Sequence, residues 1–281
     1  MMPTSVARGA LHIEEVVKIY DPHGARIPAV DRCSFNVAAG EICMIVGPSG
    51  CGKTTLLNAI AGFLPIDGGT IRLDGEILCG AGRPQAKVGP DRIVVFQNGS
   101  LFPWKSNLEN VAFGPIMQKA MSPEQALDTA RRMMAEAGLG GLEHLYPGET
   151  SSGVRRRVEI VRALINDPTV LLLDEPYRAL DALTKSVMHE ALLEMYYRKK
   201  TTIFFITHDL EEAIFLGHRV IVMTSRPCRP KLILDVDIPY PRDYGVLTSP
   251  RFRELMGAAA AAVQEEAAKA FELGEKEGVA A

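Results

Sequence analysis

Apolar and polar positions along the chain fall first into short, strand-like groups. Residues 11–20 alternate weakly and predict a strand that ends on an aromatic, Tyr20. Residues 21–28 hold two prolines and a glycine, which is turn chemistry. Residues 30–37 predict a second strand, and 38–41 a turn into a third, the apolar run 42–46. A helical pattern follows over 54–61, and 65–69 breaks the chain. Two short strands, 70–73 and 76–78, flank Asp74-Gly75, a strong signal for a tight hairpin. Residues 80–90 read as a loop and 92–97 as a strand with an apolar middle.

The rhythm changes at Ser106. Leu108, Val111 and Ala112 recur at helical spacing, and Ala126, Leu127, Ala130, Met133 and Met134 do so again after Pro123, a residue suited to a helix start. Residues 138–148 predict a loop and about 152–166 a helix. The unbroken apolar run 170–173 suits the interior of a parallel sheet, where both faces are covered. Helix and strand then alternate: helix 181–199, strand 202–207, helix 209–216, strand 219–224, and a further strand over 231–238. Residues 239–250 read as a proline-containing connector, 251 onward as an Ala- and Glu-rich helix fraying into a tail, and 1–10 as a loose leader. This order predicts an α/β core with a mostly parallel sheet. An antiparallel β subdomain comes from the early strands, and a helical subdomain is inserted at about residues 100–165.

Bulk properties narrow the function classes. A chain of 281 residues buries roughly 75% of its unfolded surface, so its core needs no staples. A net charge of −3 offers no electrostatic footprint for nucleic acid. Cys33, Cys43, Cys51, Cys79 and Cys228 are widely spaced and include no C-x-x-C, which predicts reduced thiols in a cytosolic protein rather than a disulfide or zinc framework. No stretch approaches the ~18 apolar residues of a membrane span, and the first residues lack the apolar core of a signal peptide. If the protein works at a membrane, separate chains do the spanning.

The densest chemistry lies in residues 47–55, GPSGCGKTT, which contain G-x-x-x-x-G-K-[ST] between the strand 42–46 and the helix 54–61. That strand–loop–helix context predicts a P-loop NTPase. Successive backbone N–H groups and a helix N-terminus supply donors to a triphosphate without needing room for side chains. Gly47, Ser49, Gly50, Cys51, Gly52, Lys53, Thr54 and Thr55 form the cradle, with Lys53 at the outer phosphates and the Thr54 hydroxyl on Mg²⁺. Three further groups fall at the carboxyl ends of strands, where α/β sheets bind ligands. Asp174 and Glu175 follow the apolar run and divide the work, Asp174 for Mg²⁺ and Glu175 for an attacking water. Gln97 ends the strand 92–97 and suits Mg²⁺ or that water, and His208 follows the strand 202–207 and suits the γ-phosphate. Tyr20 offers a flat ring for an adenine, or simple packing. His12, His23, His144, His189 and His218 lack such context and read as ordinary.

The order of phosphate loop, VVFQ (94–97), TSSGVRRRVEIVRAL (150–164), VLLLDEP (170–176), ALD (179–181) and ITHD (206–209) resembles the ATP-binding subunit of an ABC transporter over nearly all of residues 11–235. LFPW (101–104), ENVAFG (109–114), ALDALTK (179–185) and the stretch 207–227 are similar to bacterial importers of the nitrate, sulfonate, taurine and bicarbonate group. The resemblance implies an ATP-binding domain over 1–238 and a C-terminal connector, helix and tail over 239–281. It also implies an ATPase with ATP and Mg²⁺, the metal held by Thr54, Gln97 and Asp174. Two copies or close paralogues face each other, each ATP lying between one phosphate loop and the partner's signature helix, where Ser151 and Gly153 approach the γ-phosphate and Asp181 couples the sites. The loop after Gln97 and the helical insert grip a membrane permease, a periplasmic binding protein delivers the cargo, and the chain sits peripherally on the cytoplasmic face of the inner membrane.

Four departures from the family pattern stand out. Ser152 replaces a glycine, where a side chain crowds the phosphate or forbids a positive φ. Thr150 replaces a buried leucine, a loss of roughly 1–2 kcal/mol if uncompensated. Arg178 stands where Ser or Gly is usual, and Arg155, Arg156 and Arg157 read as a solvated basic face. The alternatives are a weakly hydrolysing regulatory partner, suggested by the altered signature, and a soluble non-transport ABC ATPase, which generally carries two cassettes or a long coiled coil.

Overall fold

The structure is a computed structural model that describes residues 8–21, 24–80, 88–178 and 180–279. The start of the expected leader, His23, most of the loop 80–90 and Ala179 of the ALD triplet lie outside the described residues. The elements in chain order are β1 (Leu11–Tyr20), β2 (Ile27–Val37), β3 (Ile42–Val46), α1 (Lys53–Ala61), β4 (Gly68–Leu73), β5 (Glu76–Gly80), β6 (Arg92–Val95), α2 (Asn107–Met117), α3 (Pro123–Glu136), α4 (Ser152–Leu164), β7 (Val170–Asp174), α5 (Ala182–Lys199), β8 (Thr202–Ile206), α6 (Leu210–Leu216), β9 (Arg219–Met223), β10 (Pro230–Asp235) and α7 (Pro250–Val279). They form two compact units, Met1–Val88 with Thr201–Ala281, and Gly89–Lys200.

In the first unit, β1 alternates buried and exposed positions because only one face meets the core. It pairs antiparallel with β2 and β4, in the order β2-β1-β4-β5. Asp74 and Gly75 both adopt left-handed backbones (φ 49° and 85°), as a two-residue hairpin turn demands. The Asp74 carboxylate also accepts from the Gly9 and Ala10 amides at 2.8 and 2.9 Å, tying down the start of the described chain. The second sheet of this unit has β3 parallel to β8 and to β9, with β10 antiparallel to β9. Every residue of β3 and β8 is buried, which explains their unbroken apolar runs. Phe252, Leu255, Ala259 and Ala262 recur at helical spacing on α7 and are buried, so that helix packs against α6, β9 and β10. The connector before it is not loose. Arg242 is 6% exposed and donates to the carbonyls of Ile214, Phe215, Gly217, Val236 and Ile238, satisfying the C-terminus of α6.

In the second unit, β6 and β7 pair parallel from Arg92↔Val170 to Val95↔Leu173. Around a core of Val111, Ala112, Ala126, Ala130, Met134, Leu139, Val158 and Val161 pack α2, α3 and α4. Reciprocal capping boxes start α2 (Ser106 with Glu109) and α3 (Ser122 with Gln125, Pro123 in its first turn). β6 stops at Val95, two residues earlier than expected, so Gln97 lies beyond the strand rather than at its end. β10 likewise ends at Asp235, because Asp237 turns to Arg251 at the start of α7 (2.7 Å).

Candidate functional site

The phosphate loop connects β3 to α1. Gly52 caps α1 with a left-handed backbone (φ 115°), and a Cβ there would run into the Ala29 carbonyl and lie 2.9 Å from the Cβ of Cys228. Only glycine fits both constraints. No side chain caps α1, so its first N–H groups and positive end open onto the loop. Lys53 is 6% exposed and donates to the carbonyls of Gly47 (2.8 Å) and Pro48 (2.7 Å), with Cys51 Sγ at 3.7 Å. A buried ammonium held only by weak loop acceptors is ready for transfer to phosphate oxygens, which bind it more strongly. Ser49 and Gly50 are exposed on the loop, and Thr54 is exposed in the first turn of α1. Thr55 Oγ1 lies 3.4 Å from the Tyr20 hydroxyl, which brings that exposed ring beside the cradle, as the adenine reading requires. In the same unit His208 is exposed at the end of β8, just before Asp209, the residue that caps α6.

The second unit assembles the carboxylates. Asp174 is the last residue of β7 and is buried. Glu175 has a left-handed backbone (φ 44°), an uncommon conformation for a side-chain-bearing residue. Its Oε2 receives the Gln97 amide at 3.4 Å and the Arg178 guanidinium at 3.2 Å. Arg178 is exposed, and its guanidinium is paired to the expected base. The run Arg155–Arg157 also overturns the expected solvated face. Arg156 donates to the Phe96 and Gln97 carbonyls (2.8 and 2.9 Å) and pairs with Glu159 (2.6 Å), which in turn accepts from the Ser100 amide. Arg157 donates to the Ala137 and Gly138 carbonyls, and Arg155 to those of Pro147 and Thr150. The bonds of Arg156 and Glu159 pin the loop after β6 to α4.

On α4 the signature-like residues take distinct parts. The exposed Ser151 is the N-cap, its hydroxyl accepting from the Val154 amide at 3.3 Å. Ser152 is the first helical residue, exposed and with no positive φ, so the conformational objection to serine does not arise. Thr150 is compensated in part by donating to the Pro147 carbonyl at 3.1 Å. Gly153 is buried, and a Cβ there would come within 2.8 Å of Thr184 Cγ2. Asp181 caps α5 through the same Thr184, whose hydroxyl (2.6 Å) and amide (3.0 Å) hold its carboxyl below the usual range. Gly153 and Asp181 therefore meet at one threonine. Of the remaining histidines, His218 Nδ1 accepts from the Ile42 amide, His189 is buried against Tyr177, and His12 and His144 are exposed.

Among the described residues there is no group of three or more His, Cys, Asp or Glu that would hold a metal unaided.

The sequence model of the ABC transporter family matches residues 30–178, just over half of the chain. The chain belongs to the ABC transporter family. An uncharacterized ABC transporter ATP-binding protein of Methanocaldococcus jannaschii is 41% identical over 233 residues, covering 83% of this chain and 84% of that protein. A taurine import ATP-binding protein of Rhizobium johnstonii is 41% identical over 240 residues (83% and 88%). An aliphatic sulfonates import ATP-binding protein of Bacillus cereus is 38% identical over 243 residues (86% and 91%). Among solved structures, a dimeric ATP-binding cassette in a post-hydrolysis state, bound to ADP and Pi, superposes with a TM-score of 0.69 at 28% identity, covering 82% of this chain and all of that one. As a member of this ABC family the chain is an ATPase of the P-loop α/β fold and binds ATP.

Proposed function

We propose that this ABC ATPase is the energising subunit of an importer for a small anion of the taurine, sulfonate, nitrate or bicarbonate kind. It would work through separate permease subunits on the cytoplasmic face of the inner membrane, supplied by a periplasmic binding protein. The observation that carries the reading is the alignment, over more than four fifths of the chain, with relatives named for taurine and aliphatic sulfonate import. Residues 1–238 would form the ATP-binding domain and 239–281 its C-terminal connector and helix.

In this reading the amides of Ser49–Gly52 and the N-terminus of α1 cradle the phosphates, and Lys53 leaves Gly47 and Pro48 for them. Tyr20 stacks on the adenine. Thr54, Gln97 and Asp174 would hold Mg²⁺, whose charge would offset that of the phosphates. Glu175 orients the attacking water and takes its proton, and His208 donates to the γ-phosphate. Ser151, Gly153 and the N-terminus of α4 from a second copy close the far side, with Asp181 at the interface. The half-exposed groove of about 230 Å³ between β6, α2 and α4, lined by Phe102, Phe113 and Arg162, lies beside the largely exposed Trp104 and suits a permease helix.

The test is reconstitution in vesicles with candidate permease subunits from the same organism. ATP-dependent uptake of taurine or an alkanesulfonate, abolished by Glu175→Gln, is the expected result. ATP turnover that ignores both permease and anion would overturn the importer assignment.

A further inference from the structure

Two buried thiols with no part in the ATP chemistry meet at the phosphate loop. Cys51 lies within the loop and is 1% exposed; Cys228, beyond β9, is fully buried. Cys228 is anchored on β2: its amide donates to the Ala29 carbonyl (2.9 Å), its carbonyl accepts from the Asp31 amide (3.4 Å), and it pairs with Val30 in a parallel bridge. Arg229 beside it pairs with Asp31. Cys51 has no such anchor; its neighbours Gly50 and Gly52 both have left-handed backbones. A Cβ on Gly52, the residue after Cys51, would lie 2.9 Å from Cys228 Cβ, which sets the two cysteines side by side within hydrogen-bonding reach, and Lys53 Nζ reaches the Cys51 sulfur at 3.7 Å. The bond from Cys228, and then the lysine charge, bring the Cys51 thiol down to about 6 against the effect of burial. Donating that bond and burial both push Cys228 up. Cys33, nearby on β2, is pushed up to about 12 by burial and stays a thiol. The site thus pairs a cysteine whose thiolate is favoured with one that is held as a thiol, which is the pairing that disulfide formation requires.

We propose that Cys51 and Cys228 form an intrachain disulfide on exposure to hydrogen peroxide, and that this bond locks the phosphate loop against ATP. The inference rests on reading residues 47–55 as the ATP cradle. The Cys51 thiolate attacks one peroxide oxygen, the O–O bond breaks, and the departing hydroxide takes a proton to become water, leaving a sulfenic acid. The Cys228 sulfur then attacks the Cys51 sulfur. An S–S bond forms, the S–O bond breaks, and the Cys228 proton leaves with the hydroxyl as a second water. Two thiols lose two electrons and peroxide becomes two waters. The new bond ties the loop to the anchored bridge at Val30 and removes the thiolate beside Lys53. The loop can then no longer rewrap around phosphate. Bound ATP draws Lys53 away and covers the loop, so it should protect the pair.

The experiment treats the full chain and Cys228→Ser with peroxide, with and without ATP. It reads linked peptides by mass spectrometry without reductant, and ATP binding before treatment, after it, and after dithiothreitol. The expected result is a Cys51–Cys228 peptide in the wild type, suppressed by ATP, with ATP affinity of the linked species down at least about tenfold and restored by dithiothreitol. Reduced Cys228→Ser should bind ATP like the wild type and give no link to Cys51. Absence of the linked peptide, a link to Cys33 instead, or linked protein that binds ATP normally would overturn the proposal. Reduced wild type that fails to bind ATP would instead overturn the cradle reading itself.

Discussion

Glu175 carries the heaviest load of any single residue in the proposed site. Its backbone is left-handed and its Oε2 is shared between Gln97 and Arg178. While the guanidinium holds Oε2, that oxygen is occupied and cannot orient the attacking water, so the pair must open before the reaction. The Arg178 side chain is 57% exposed, so solvent screens the pair, and such pairs are worth about 0.2–1 kcal/mol. Arg178→Ala should therefore raise ATP turnover by about 1.4- to 5-fold with little change in KM. A fall in turnover would show that the arginine supports Glu175 rather than restraining it. The chemistry of this position was only half legible in the sequence. Arg178 stood out as unusual, but an i,i+3 pair outside a helix depends on the turn after β7, which no periodicity announces.

At the scale of elements, legibility follows sequence distance. Asp74-Gly75 and the apolar runs of β3, β7 and β8 are local signals, and they placed their elements within a residue or two, whereas the equally local Ser106–Glu109 and Ser122–Gln125 capping boxes went unread. Arg156 was misjudged because its carbonyl partners are Phe96 and Gln97, about sixty residues away, and a run of three arginines looks solvated until those carbonyls are placed. Arg242 was missed for the same reason. Its partners lie at the end of α6, and the prolines around it read only as a connector. On α7, Glu266 is buried, and burial by itself would raise its carboxyl. Bonds from Lys231 (2.8 Å), Lys269 (2.9 Å) and the amide and hydroxyl of Ser225 outweigh that and bring it down to about 2. A carboxyl depressed in the folded state stabilises the fold fully above its unfolded value of 4.5, and that stability drains away as pH falls towards 2. Glu266→Gln should therefore lower stability at neutral pH and flatten its decline between about pH 4.5 and 2, seen as denaturant midpoints across that range. A variant whose midpoints fall with acid as steeply as the wild type would refute the docking role of Glu266.

At the scale of the molecule, the family fold and the phosphate loop were fully legible, because the motifs recur in a fixed order along the chain. The pairing of Gln97 with Glu175 and the meeting of Gly153 and Asp181 at Thr184 were not, since each joins residues dozens of positions apart. The proposed site is also larger than one chain. Ser151 caps its own helix and is exposed, and the proposal gives it the γ-phosphate of another copy. The most direct measurement is the solution mass of Glu175→Gln by light scattering, because blocking proton transfer leaves ATP intact in the site. The expected result is a mass near 30.6 kDa without ATP and about twice that with saturating ATP and Mg²⁺. A variant that binds ATP to saturation and keeps the mass of a single chain would contradict a site completed by a second copy.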